Sequence, residues 1–198
     1  MRPVFVFDSF KTILKCDAWD QKVEADPRLR QLQQAWIDAG RPLSHPFLDE
    51  GEGAIERGEV RAEAYPETRH VLEKISTIGA IAAYSSNSEG ALNAMLRQAG
   101  LIDIFHDEGL IIPASRLNGL PKEDPAAFVA LDHYLRDRSL LMMAYADDIL
   151  DIVRAAIKSN TPSISGIYHV DRKSGLLSAE AKPGYLRIGR LDQMLELH

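Results

Sequence analysis

Four short segments, taken in order, constrain this chain more than anything else, because each sets polar residues at the edge of an apolar run. Val4 to Phe7 leads into Asp8, and Ala80 to Tyr84 leads to Ser86 and Asn87. Lys122 stands just ahead of Asp124 and Pro125, and Leu140 to Ala146 leads into Asp147 and Asp148. Apolar runs without alternation suit strands buried on both faces of a parallel sheet. In such a sheet the strand ends meet at one edge, so a carboxylate, a hydroxyl, an ammonium and an acidic pair would share one crevice. The expected class is α/β, a doubly wound parallel sheet.

The segments between support this. Ser163 to Val170 reads as a further strand, and helical patterns cover Glu67 to Ile78, Glu89 to Gln98 and Pro125 to Arg136. The last begins on an N-cap aspartate with proline at its first position, both strong start signals. Residues 15–64 break the rhythm: helical stretches at Asp26 to Ala39 and Leu48 to Arg57 are punctuated by glycine and proline, with no convincing strand. They are read as a small helical cap, 15–64, inserted into a core formed by 1–14 and 65–198. A short strand near Tyr185 and a closing helix from Leu186 to Leu197 end the chain.

Composition removes several classes of function. The net charge is −6, with no basic run beyond a pair, which disfavours nucleic acid as a partner. Cys16 is the single cysteine, so neither an internal disulfide nor a multi-cysteine metal site is available. No stretch approaches the roughly 20 apolar residues that cross a bilayer. The expectation is a cytoplasmic protein without membrane contact, acting on a small molecule; the oligomeric state stays open.

With these residues in place, the chain resembles the haloacid dehalogenase-like (HAD) superfamily, whose sheet is Rossmann-like. Asp8-Ser9-Phe10-Lys11-Thr12 resembles the first motif, Ser86-Asn87 the second, Lys122 before Asp124-Pro125 the third, and Asp147-Asp148-Ile149-Leu150-Asp151 the fourth. The resemblance implies a hydrolase in which Asp8 is the nucleophile and Thr12, Ser86, Asn87 and Lys122 serve the reaction. It also implies Mg²⁺ held by Asp8, the Phe10 carbonyl, Asp147, and Asp148 or Asp151. Such a cation fits the chemistry of phosphoryl transfer, which depends on alignment and charge neutralisation. Taken singly, each residue has an ordinary explanation: Asp8, Ser86 and the acidic pair as caps, Lys122 as a surface cation. Those explanations give no reason for the residues to gather.

The chain also departs from the pattern. Phe10 stands where phosphatases of this family carry a second aspartate, and Ala146 replaces the glycine before Asp147. A positioned general acid is worth about 10²- to 10⁴-fold in rate. Asp147, Asp148 and Asp151 beside Asp8 would repel one another unless a cation sits among them, so the first reading is a Mg²⁺-dependent hydrolase of a small phosphorylated metabolite. The second is a metal-independent 2-haloacid dehalogenase, whose halide leaves without a proton; Arg28 is then the position comparable to the substrate-binding arginine. The third is a weakly catalytic or non-catalytic binding protein. His45, Glu50 and Glu52 are candidates for a substitute acid, and Arg30, Arg41 and Arg57 for further substrate contacts.

Overall fold

The computed structural model describes residues 1–105 and 109–197. The chain opens with β1 (Arg2–Phe7) and a two-residue strand, β2 (Leu14–Lys15). Three helices follow, α1 (Asp17–Ala25), α2 (Pro27–Asp38) and α3 (Pro46–Glu56), and then β3 (Glu63–Ala64). Strands and helices then alternate through α4 (Thr68–Ser76), β4 (Ala80–Ser85), α5 (Glu89–Gln98), β5 (Ile111–Pro113), α6 (Pro125–Arg136), β6 (Leu140–Asp147), α7 (Leu150–Lys158) and β7 (Gly166–Val170). The hairpin of β8 (Glu180–Lys182) and β9 (Tyr185–Ile188) and a 3₁₀ segment, Leu191–Leu197, complete the described chain.

Seven strands form one sheet in the order β5-β4-β1-β6-β7-β9-β8, parallel throughout except for the β8–β9 pair. The chain builds outward from β1 through β4 to β5, then returns to the other side of β1 with β6. The carboxyl ends of β1 and β6 therefore flank the point where strand order reverses, the usual place for a ligand crevice. Register puts Phe7 beside Ala146, and the Asp8 amide extends the ladder by donating to the Ala146 carbonyl at 2.8 Å.

β1 is buried on both faces, and its alternation divides the core. Phe5 and Phe7 pack with Val71, Leu72 and Ile75 of α4 and with Leu92, Met95 and Leu96 of α5. Val4 and Val6 pack on the opposite side with Phe128, Leu131 and Leu135 of α6 and Ile152 of α7. Gly79, just before β4, permits the close approach to β1: a Cβ there would lie 2.7 Å from the Pro3 carbonyl.

Between β2 and β3 the three helices are fixed by local signals. Asp26 caps α2 by accepting from the Arg28 and Leu29 amides, with Pro27 in the first turn. His45 caps α3 through a ring nitrogen that accepts from the Phe47 amide. β2 and β3 pair antiparallel, Leu14 with Ala64 and Lys15 with Glu63. This corrects the expectation that residues 15–64 hold no strand; two residues are too few to show a period. Helix α1 and strand β5 are likewise additions. The strand expected from Ser163 begins at Gly166, because Ser163 turns away to donate to Asp132. Among the described residues no helix is long and apolar enough to cross a membrane.

Candidate active site

The fold brings Asp8, from the end of β1, and Asp147, from the end of β6, onto a single ammonium. Lys122 Nζ donates to Asp8 Oδ1 at 2.6 Å, to Asp147 Oδ2 at 2.8 Å and to the Tyr84 carbonyl at 3.2 Å. Only 1% of the Lys122 side chain is exposed. Lys122 lies in the loop before α6, and the Asp124 cap, which accepts from the Ala126 amide at 2.9 Å, fixes where that loop ends. Tyr145 donates its hydroxyl to Asp147 Oδ2, and the Ile149 amide donates to Asp147 Oδ1 at 2.9 Å. Asp147 therefore closes the turn ahead of α7, whose N-cap is Ile149, while also holding the lysine.

Asp148 completes an acidic group: one carboxylate oxygen from each of Asp8, Asp147 and Asp148 lies within 4.8 Å of the others. Burial drives the Asp8 carboxyl up to about 7, with Asp147 adding to the shift against the opposing pull of Lys122. Burial also drives Asp148 up to about 8, reinforced by Asp147 and Asp8. Burial alone would depress Lys122, but the two carboxylates push its ammonium well above its ordinary range. Tyr84 is pushed up to about 12 by burial. One ammonium facing three acids leaves surplus negative charge, and carboxylate oxygens are the donors a hard divalent cation takes. The donor set fits Mg²⁺.

The remaining site residues lie in three kinds of place. Ser86, Asn87 and Phe10 line the same cavity as Asp8, Lys122 and Asp148, a space of about 270 Å³. Thr12 is fully buried, its Oγ1 without a hydrogen-bond partner among the described residues. Asp151 does not join the cluster: its side chain is 63% exposed and pairs with Arg154 at 3.1 Å. One helical turn beyond Asp147, it points along α7 rather than back to the sheet edge. Nor do the candidate substitute acids reach the site with a free group. His45 caps α3, Glu50 pairs with an exposed Arg28 at 2.6 Å, and Glu52 accepts from the Ser88 amide at 2.6 Å.

No protein-family model and no curated protein matches this sequence. Solved structures do match. An L-2-haloacid dehalogenase from Xanthobacter autotrophicus aligns with a TM-score of 0.66 over 100% of this chain and 98% of its own, at 18% identity. The HAD-like fold is the fold of this chain. A putative HAD-hydrolase, YfnB from Bacillus subtilis, bound to magnesium, aligns with a TM-score of 0.60 at 16% identity, over 99% of this chain and 98% of its own. A conserved haloacid dehalogenase-like protein of unknown function from Agrobacterium tumefaciens aligns with a TM-score of 0.61 at 16% identity, over 98% and 96% of the two chains.

On this HAD-like scaffold several contributors have no signal in the sequence. Ser85, one residue before the expected pair, accepts from Ser9 Oγ at 2.9 Å and donates to Asn87 Oδ1 at 3.1 Å, tying the ends of β1 and β4 together. Arg172, beyond β7, donates to the Lys11 and Thr12 carbonyls and to Glu67 at 2.7 Å. Its guanidinium lies 3.4 Å over the Tyr65 ring. Arg41 lines the cavity in place of Arg28 and pairs with Glu123, next to Lys122, at 2.8 Å. Tyr145 could have been found, since two residues before Asp147 in a strand is the same face.

Proposed function

We propose that this protein is a HAD-like hydrolase that uses Asp8 as nucleophile on a small phosphorylated molecule, with Mg²⁺ as cofactor. The observation that carries the reading is the grouping of three buried or half-buried acids about one lysine, Asp8, Asp147 and Asp148 with Lys122. Asp8, Asp147 and Asp148, together with the Phe10 carbonyl, would hold the cation. It would neutralise charge on the transferring group and lower the repulsion between that group and the attacking carboxylate.

Lys122 fixes Asp8 through Oδ1, so the nucleophile is oriented before substrate arrives. An Asp8 oxygen bonds to phosphorus as the bond from phosphorus to the leaving oxygen breaks, giving an aspartyl phosphate. The leaving oxygen takes its proton from water, because Phe10 has none to give. Water then attacks phosphorus, releases inorganic phosphate and restores the carboxylate, dividing one difficult displacement into two steps. Ser86 and Asn87, on the cavity wall, are placed to hydrogen-bond the transferring group.

A second reading, a 2-haloacid dehalogenase, is favoured by Phe10 and by the dehalogenases among the structural neighbours. Against it, Arg28 is exposed and paired with Glu50, and Arg41 is paired with Glu123, so neither offers an unpaired cation to a substrate carboxylate. The test runs p-nitrophenyl phosphate and 2-chloropropionate in parallel, with Mg²⁺ and with EDTA. Phosphate release that needs Mg²⁺ and disappears in Asp8→Asn supports the proposal. Chloride release indifferent to EDTA overturns it in favour of the dehalogenase, and turnover of neither leaves a binding protein.

A further inference from the structure

The two ends of the cavity differ in chemistry. Asp8, Lys122, Asp148, Ser86 and Asn87 supply its polar end, whereas the segment between β2 and β3 contributes Trp19, Trp36, Ile37, Phe47, Leu48 and Ile55. Three of these form an aromatic group, with Phe47 centred 5.8 Å from Trp19 and 5.5 Å from Trp36. Trp36 spends its one polar atom on the Pro42 carbonyl at 3.0 Å, so the ring offers the cavity no donor. The nearby charges are neutralised in place: Lys11 pairs with Asp20 at 3.1 Å, and Arg41 with Glu123. Gln33 also lines this end, but most of its wall is indole, phenyl and aliphatic carbon, so a sugar or polyol placed here would exchange its hydration for few hydrogen bonds.

We propose that the group esterified to the phosphate is apolar and ring-bearing, seated against Trp19, Trp36 and Phe47 while the phosphate lies at Asp8. Its reaction rests on the hydrolase reading above; its seat does not. Aromatic walls reward a ring through stacked and edge contacts as well as through area removed from water. In an apolar pocket a single methylene changes kcat/KM by about 10- to 200-fold, so a whole ring against a polyol should exceed about 10²-fold.

Two measurements separate the seat from the chemistry. The first compares kcat/KM for 2-phenylethyl phosphate and glycerol 1-phosphate, both primary alkyl esters, so that leaving-group reactivity is similar. The second titrates the protein with 2-phenylethanol, which carries no phosphate, and follows tryptophan emission. The chain has two tryptophans and both line the cavity, so the emission reports its occupancy. The expected results are a preference above about 10²-fold for the phenylethyl ester and a saturable emission change. Trp36→Ala, with Trp19 still reporting, should weaken 2-phenylethanol binding at least about fivefold, and so should Ile37→Ser, at a position 40% exposed where folding is least at risk. Equal kcat/KM for the two esters, without saturable binding, would overturn the apolar seat and leave the hydrolase reading intact. Saturable binding without hydrolysis of either ester would support the seat and remove the hydrolase.

Discussion

Replacing Lys122 with methionine tests the centre of the site most directly. The substitution keeps the length of the side chain and removes an ammonium that lies 2.6 Å from Asp8 and 2.8 Å from Asp147. At an effective dielectric constant near 20, one such contact has a gross attraction of about 6 kcal/mol, most of it offset by desolvation of the ions. What remains is the cost of stranding buried carboxylates, about 3–5 kcal/mol when one partner of a buried pair is removed. Against a total stability of about 5–15 kcal/mol, that loss is large. It should also depend on pH. Without the ammonium the Asp8 carboxyl can reach neutrality only by binding a proton, and a folded-state pKa raised above the unfolded value gives stability that is lost as pH rises through it. Urea denaturation followed by circular dichroism, in EDTA, should show a deficit of at least about 3 kcal/mol near pH 8 and a clearly smaller one near pH 5. A deficit below about 1 kcal/mol, or one equal at both values, would refute the idea that Lys122 neutralises a buried acidic group.

Other outcomes follow from the same geometry. Asp8 at about 7 and Asp148 at about 8 sit above their ordinary value of 3.8, so the metal-free fold should lose thermal stability as pH is raised through that range. Mg²⁺ should raise the melting temperature more near pH 8.5 than near pH 5; equal shifts would remove the cation from this cluster. Phe10→Asp should raise phosphatase turnover at least about 10²-fold by supplying the missing proton donor, and no gain in a folded variant that still binds Mg²⁺ counts against the phosphatase reading. Asp26→Ala removes the α2 cap and should cost about 1 kcal/mol in denaturant unfolding, with no loss indicating that the two backbone amides find other partners.

Much of the sheet was legible because its central strands are buried on both faces. A run such as Val4 to Phe7 has nowhere to go but the interior, and the Asp124-Pro125 start fixed α6 to the residue. The gathering of Asp8, Lys122, Asp147 and Asp148 was legible for a related reason: residues that end parallel strands, or begin the helices between them, share an edge. What escaped were features set by contacts between distant segments. β2 and β3 exist only because Leu14 meets Ala64, and β5 is a three-residue edge strand that ends on proline. Asp151 has the spacing of a ligand, yet helical rotation carries it to solvent. Arg28 has the spacing of a substrate-binding arginine, but it lies on the outer side of α2, and a left-handed turn at Arg41, φ 52°, brings that later arginine to the cavity instead. Side-chain direction at a helix surface or a positive-φ turn is decided by tertiary packing, which spacing does not encode.

The guanidinium of Arg172 gathers the carbonyls of Lys11 and Thr12, just before β2, and the carboxylate of Glu67, just after β3. Both chain crossings between the sheet and the three intervening helices are therefore riveted at one cation. On the helical side of that rivet the two crossings run paired as the β2–β3 ribbon. The loop that follows the nucleophile is thus tied to Glu67 and to the segment after β7 by a single side chain.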